Sequence, residues 1–199
     1  LFSFSLFLSA GLMFAVQPMV GKMLLPLVGG TPAGWVVAMA FFQLALLLGY
    51  LLAHLLSKFP VRVHGALFLA ALAAGFLFLP VNLKDHISVL GETPGPFSVF
   101  LLLSIATAAP FIALSTSAPT LQRLFSATGH PDAKDPYFLY AASNLGSFIG
   151  LFSYPLLIEP LSTLSQQTHG WQIGFAGLAL IGILCLIFTK GQKNAPVAT

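Results

Sequence analysis

The chain has 199 residues, of which 57% are hydrophobic and 7% charged, whereas a soluble domain carries about 25% charged residues. So few charges cannot cover a water-facing surface, and the composition points to a membrane protein. The net charge of +3 comes from scattered Lys and Arg with no basic run, which excludes a nucleic-acid partner.

A membrane-spanning helix needs roughly 20 apolar residues. Six segments meet that requirement, at about 2–28, 33–57, 62–82, 97–125, 136–158 and 170–190. The expected fold is therefore all-α and integral to the membrane, one six-helix domain over 1–190 with a cytoplasmic tail at 191–199. The opening run lacks a basic n-region and a small-residue cleavage pattern, so it reads as the first span and not as a removed signal peptide. The connections GGTPAG, SKFPVR, KDHISVLGETPG, SATGHPDAKD and EPLSTLSQQTHG are short, rich in Gly and Pro, and hold most of the charges.

Six spans place both termini on one side. That side collects Lys58, Arg62, Arg123, Lys134, Lys190 and Lys193, against Lys22 and Lys84 on the other. The excess of positive charge predicts that both termini are cytoplasmic, in a bacterial inner membrane. Trp35 and Trp171 then begin spans at the outer face, as interfacial anchors do. Pro18, Pro26, Pro110, Pro119 and Pro155 interrupt spans, and each removes a backbone donor.

In the first span, Lys22 lies about 9 Å inside the outer end at about 1.5 Å per residue. An intramembrane charge needs a partner. Glu159, at the outer end of the fifth span, is the expected one, with Gln17 in the same network; the alternative is that Lys22 snorkels to the interface. The second span carries Gln43, Leu47, Tyr50 and His54 on one face, and Gln43 needs a mid-membrane partner. The fourth has Ser104, Thr107, Ser115, Thr116 and Ser117 around its prolines, where hydroxyls rebond to their own helix. In the fifth, Tyr137, Tyr140, Asn144, Ser147, Leu151 and Tyr154 recur at intervals of 3 and 4, so they share one helix face. Unsatisfied polar groups in lipid cost several kcal/mol each, so this stripe is expected against other helices or a wet cavity. Asn144 and Ser147 either bond across helices or line a solute path. On another face Ala142, Gly146 and Gly150 form a small-xxx-small series that admits close helix approach.

No catalytic constellation appears. The five His and five acids lack metal-ligand spacing, and there is no nucleophile elbow, P-loop or dinucleotide fingerprint. Cys185 stands alone, so neither an internal disulfide nor a two-Cys metal site can form. No cofactor is expected.

VQPMVGKMLLPLVGGTPAGWVVAMAFFQLALLLGYLLAH (16–54) and DPYFLYAASNLGSFIGLFSYPLLIEP (135–160) resemble the membrane region of the spermidine synthase-like membrane proteins, fused major-facilitator/spermidine synthase proteins. The resemblance implies a six-helix unit like half of a major-facilitator fold. Family members commonly add an aminopropyltransferase-like domain that binds S-adenosylmethionine. No strand–Gly-rich loop–helix unit for such a domain is present here, and Gln17 stands where some relatives have an acidic residue. The expected role is therefore a non-enzymatic accessory or scaffold subunit of a larger membrane complex. Its partners would be lipid and other membrane subunits, or a second copy. The alternative is a transporter-like unit for a small polar solute, polyamine-like by the resemblance alone.

Overall fold

A computed structural model describes residues 1–189; Lys190, Lys193 and the expected tail at 191–199 lie outside the described residues. Every regular element among the described residues is helical. The helices are α1 (Phe2–Val28), α2 (Pro32–Leu56), α3 (Val61–Phe76), α4 (Pro96–Ser115), α5 (Ser117–Ser126), α6 (Tyr137–Ser153), α7 (Glu159–Leu161) and α8 (Leu164–Phe188). A π-helical turn, Tyr154–Ile158, joins α6 to α7, and 3₁₀ turns occupy Leu83–Leu90 and Pro131–Lys134.

Five helical runs are long and apolar enough to cross a membrane: α1, α2, Pro96–Ser126, Tyr137–Leu161 and α8. The third expected span differs. Its helix has 16 residues, ending at Phe76 and not at 82. That is about 24 Å of helix, short of a hydrocarbon core of about 30 Å. Pro80 has no amide hydrogen to continue the helical ladder. The chain instead turns through Leu79 and packs Val81, Leu83 and Leu90 into the bundle end. The last span also starts earlier than the expected 170. Thr163 Oγ1 accepts from the Gln166 amide at 3.3 Å, and Gln166 Oε1 accepts from the Thr163 amide at 2.9 Å. This reciprocal cap starts α8 at Leu164.

Consequently Trp171 lies two turns inside α8 and is buried, not an interfacial anchor. Its Nε1–H donates to the Leu12 carbonyl at 2.9 Å. Trp35 is exposed, with its ring edge against Gly21 of α1.

Each proline is accommodated differently. α1 runs through Pro18 and Pro26, and α4 through Pro110. Pro119 sits in the first turn of α5, where its missing amide costs nothing, and Pro155 lies in the π-helical turn. Around these breaks Ser104, Thr107, Ser115 and Thr116 donate to carbonyls of their own helix at 2.6–2.8 Å.

α1 is the central helix, packed against α2, α4, α5, α6 and α8. Its closest seam is with α6, along Gly146 and Gly150. Gly150 faces the backbone of Gly11, and Gly146 faces the backbone of Phe7. Both pairs are offset by 139 positions (146 − 7 and 150 − 11), so the two helices run parallel. α2 approaches α4 through Gly49, which lies against Ile112 and Ser115. Only 17% of the membrane-length stretch of Tyr137–Leu161 is buried, against 50% for α1. α6 is thus a flanking helix, attached by its glycine face and open elsewhere.

Candidate functional site

The α1–α6 seam brings Lys22 to Glu159, with Nζ 2.7 Å from Oε1. The parallel register produces this pairing, since both residues lie at the same end of helices already locked together by the glycines. The side chains are 33% and 45% exposed. Gln17 takes no part in this pair, because its Nε2 donates to the Met13 carbonyl of its own helix at 3.4 Å. The π-helical turn before Glu159 directs Tyr154 inward, where its hydroxyl donates to Gln167 Oε1 of α8 at 2.9 Å.

The rest of the α6 stripe does not turn inward. Tyr137, Tyr140 and Asn144 are exposed, and Ser147 donates to the Ser143 carbonyl of its own helix at 3.1 Å. Gln43 on α2 is exposed as well. Among the described residues these polar faces are left uncovered by the chain's own helices, and the expected cover of other helices or a wet cavity is met only where Tyr50 and Tyr140 line a cavity. Backbone contact between helices favours glycine, so Gly146 and Gly150 take the α1 side of α6 and rotate the polar face outward. Ala142 is partly buried at the edge of that glycine face.

The two outward stripes meet at one place. A cavity of about 410 Å³ at the Ser57–Pro60 end of the bundle is lined by Tyr50 and His54 of α2, Tyr140 of α6, and Gln122 and Arg123 of α5. Sequence reasoning missed its central group. Buried His64 joins α3 to α5: its Nε2 lies 3.1 Å from Thr120 Oγ1, and its Nδ1 lies 2.7 Å from Arg123 Nη1. Arginine has no acceptor atom, so Nδ1 accepts from Arg123 and Nε2 carries the hydrogen given to Thr120. Arg123 Nη2 also donates to the Phe59 carbonyl at 3.0 Å. The guanidinium is therefore held through both of its terminal nitrogens. The signals were an Arg at the end of an otherwise apolar run and a His in the first turn of an apolar helix; in the sequence Arg123 reads only as a charge of the cytoplasmic side and His64 only as one of five scattered His. A second cavity of about 320 Å³, at the opposite end, is lined by Asn82, Lys84, Thr168 and His169 among others.

Among the described residues no group of three or more His, Cys, Asp or Glu could hold a metal ion. No protein-family model, curated protein or solved structure matches the chain.

Proposed function

We propose that this chain is a membrane-embedded accessory subunit whose α2/α6 flank is covered by further transmembrane helices. The observation that carries the proposal is the outward placement of Asn144 and Gln43 in apolar, membrane-length helices. An amide facing hydrocarbon without a partner is costly, and helices of another subunit relieve that cost by hydrogen bonding across the interface. The proposed setting is a bacterial inner membrane with both termini cytoplasmic, supported by the distribution of Lys and Arg. The chain itself is proposed to be non-catalytic.

A second reading, a transporter-like unit resembling half of a major-facilitator fold, draws on the cavity. Tyr50, His54 and Tyr140 border both the exposed flank and that cavity, so helices covering the flank would enclose a polar chamber. The resemblance of residues 16–54 and 135–160 to the spermidine synthase-like membrane proteins is the reason to test transport. The chamber's chemistry disfavours a polyamine, because an arginine and, among the described residues, no carboxylate lines it.

Purification in mild detergent followed by intact mass measurement separates these readings. A stoichiometric foreign chain is expected for the accessory subunit. A homodimer or a longer version of this chain favours the transporter, and a bare monomer contradicts both.

A further inference from the structure

We propose that the cavity at the Ser57–Pro60 end binds an anionic phosphate group, carried by a lipid headgroup or by a free solute. This does not depend on what covers the α2/α6 flank. The first support is the arginine. Arg123 has no carboxylate partner among the described residues; its side-chain bonds are to His64 and to the Phe59 carbonyl. Two of its N–H groups hold His64 and the Phe59 carbonyl. A guanidinium has five, so three remain. A planar guanidinium held in place by two of its N–H groups is pre-organised to offer the others to an oxyanion.

The second support is the company it keeps. The Tyr50 and Tyr140 hydroxyls and the Gln122 amide add hydrogen-bond donors, and His54 adds a group that is a donor in either protonation state. Among the described residues, no Asp or Glu lines the cavity. The third support is size. A volume of about 410 Å³ falls within the roughly 300–1,000 Å³ of small-molecule sites. Ala53, Ala118 and Pro119 supply apolar wall beside the polar groups, as a headgroup with its glycerol or a small organic phosphate requires. Basic pockets between membrane helices are a recurrent form of anionic-lipid site.

The test uses the full chain in non-ionic detergent and isothermal titration calorimetry. The titrants are inorganic phosphate, dioctanoyl phosphatidylglycerol and the net-neutral dioctanoyl phosphatidylcholine. The expected result is one site that binds phosphate or phosphatidylglycerol at least tenfold more tightly than phosphatidylcholine. Phosphate that binds alone and displaces the lipid identifies a soluble anion as the ligand; phosphatidylglycerol binding without phosphate binding identifies a headgroup. Arg123→Gln should abolish binding. Because Arg123 also ties α5 to the α2–α3 turn, Gln122→Glu is the companion variant. It places a carboxylate in the cavity at a partly exposed position and should weaken binding at least tenfold. Lys58→Gln, which removes a charge at the same end but outside the cavity, should change it less than twofold. Equal binding of the two lipids, no binding of any titrant, or a Lys58→Gln effect as large as that of Gln122→Glu would overturn the proposal.

Discussion

Replacing Gly150 with Ala tests the seam that holds α6 to the bundle. A Cβ built at Gly150 would lie 2.5 Å from the Gly11 carbonyl oxygen and 2.8 Å from the Gly11 Cα. Carbon atoms in contact sit about 3.5–4.0 Å apart, so α1 and α6 must separate by about 1 Å. The obstacle is backbone, which cannot rotate away as a side chain does. Overpacking of this kind costs about 1–3 kcal/mol. Relief of glycine's helix penalty returns up to about 1 kcal/mol. Gly177, in the middle of α8, is the matched control because a Cβ there meets nothing within 4 Å. Gly177→Ala should therefore be neutral or stabilising, and Gly150→Ala should fall below it by about 2 kcal/mol. Reversible unfolding in mixed micelles, followed by circular dichroism, reads both variants. Gly146→Ala combined with Gly150→Ala should cost less than the sum of the two, because one displacement of α1 relieves both clashes. Equal stability of Gly150→Ala and Gly177→Ala would refute the close backbone seam.

The Lys22–Glu159 pair is a third to nearly half exposed, so a double-mutant cycle with Lys22→Met and Glu159→Gln should give a coupling below about 1 kcal/mol that shrinks at high salt; a coupling above about 3 kcal/mol would place the pair in a dry interior instead. Trp171→Phe keeps an aromatic ring but removes the donor to the Leu12 carbonyl, and should lower stability by about 0.5–1.5 kcal/mol because one buried hydrogen bond between α8 and α1 is lost. In a Trp35→Phe background, Trp171 fluorescence should be shielded from iodide, and quenching as strong as that of exposed Trp35 would contradict its burial. Cys185 is fully buried beside Ser5, with 3.4 Å between Sγ and Oγ, so a maleimide should label it only after denaturation.

The all-helical fold was legible because apolar run length alone separates membrane-length helices from their connections. Thr163 and Gln166 form a capping box in the sequence, but the loop-like composition of EPLSTLSQQTHG masked it and moved the expected start of α8. Pro80 carried the stop signal for α3, hidden inside an otherwise apolar segment. The pairing of Lys22 with Glu159 could be inferred because each had few alternatives at its end of the bundle. The direction of the α6 stripe could not. Periodicity shows that Tyr137, Tyr140 and Asn144 share a face, but which face turns inward depends on which neighbour packs more closely, and two glycines against the α1 backbone decided it. The Arg123–His64–Thr120 cluster required tertiary structure, since His64 of α3 and Thr120 of α5 are 56 positions apart in the chain.

The outward polar flank is tested most directly by photo-crosslinking in native membranes. A photoreactive residue replaces Asn144 on α6 in one variant and Ile173 in another, the latter being 73% exposed on α8. If further helices cover the α2/α6 flank, position 144 yields a discrete protein adduct and position 173 labels mainly lipid. Lipid labelling alone at both positions would contradict the covered flank and leave Asn144 facing the bilayer.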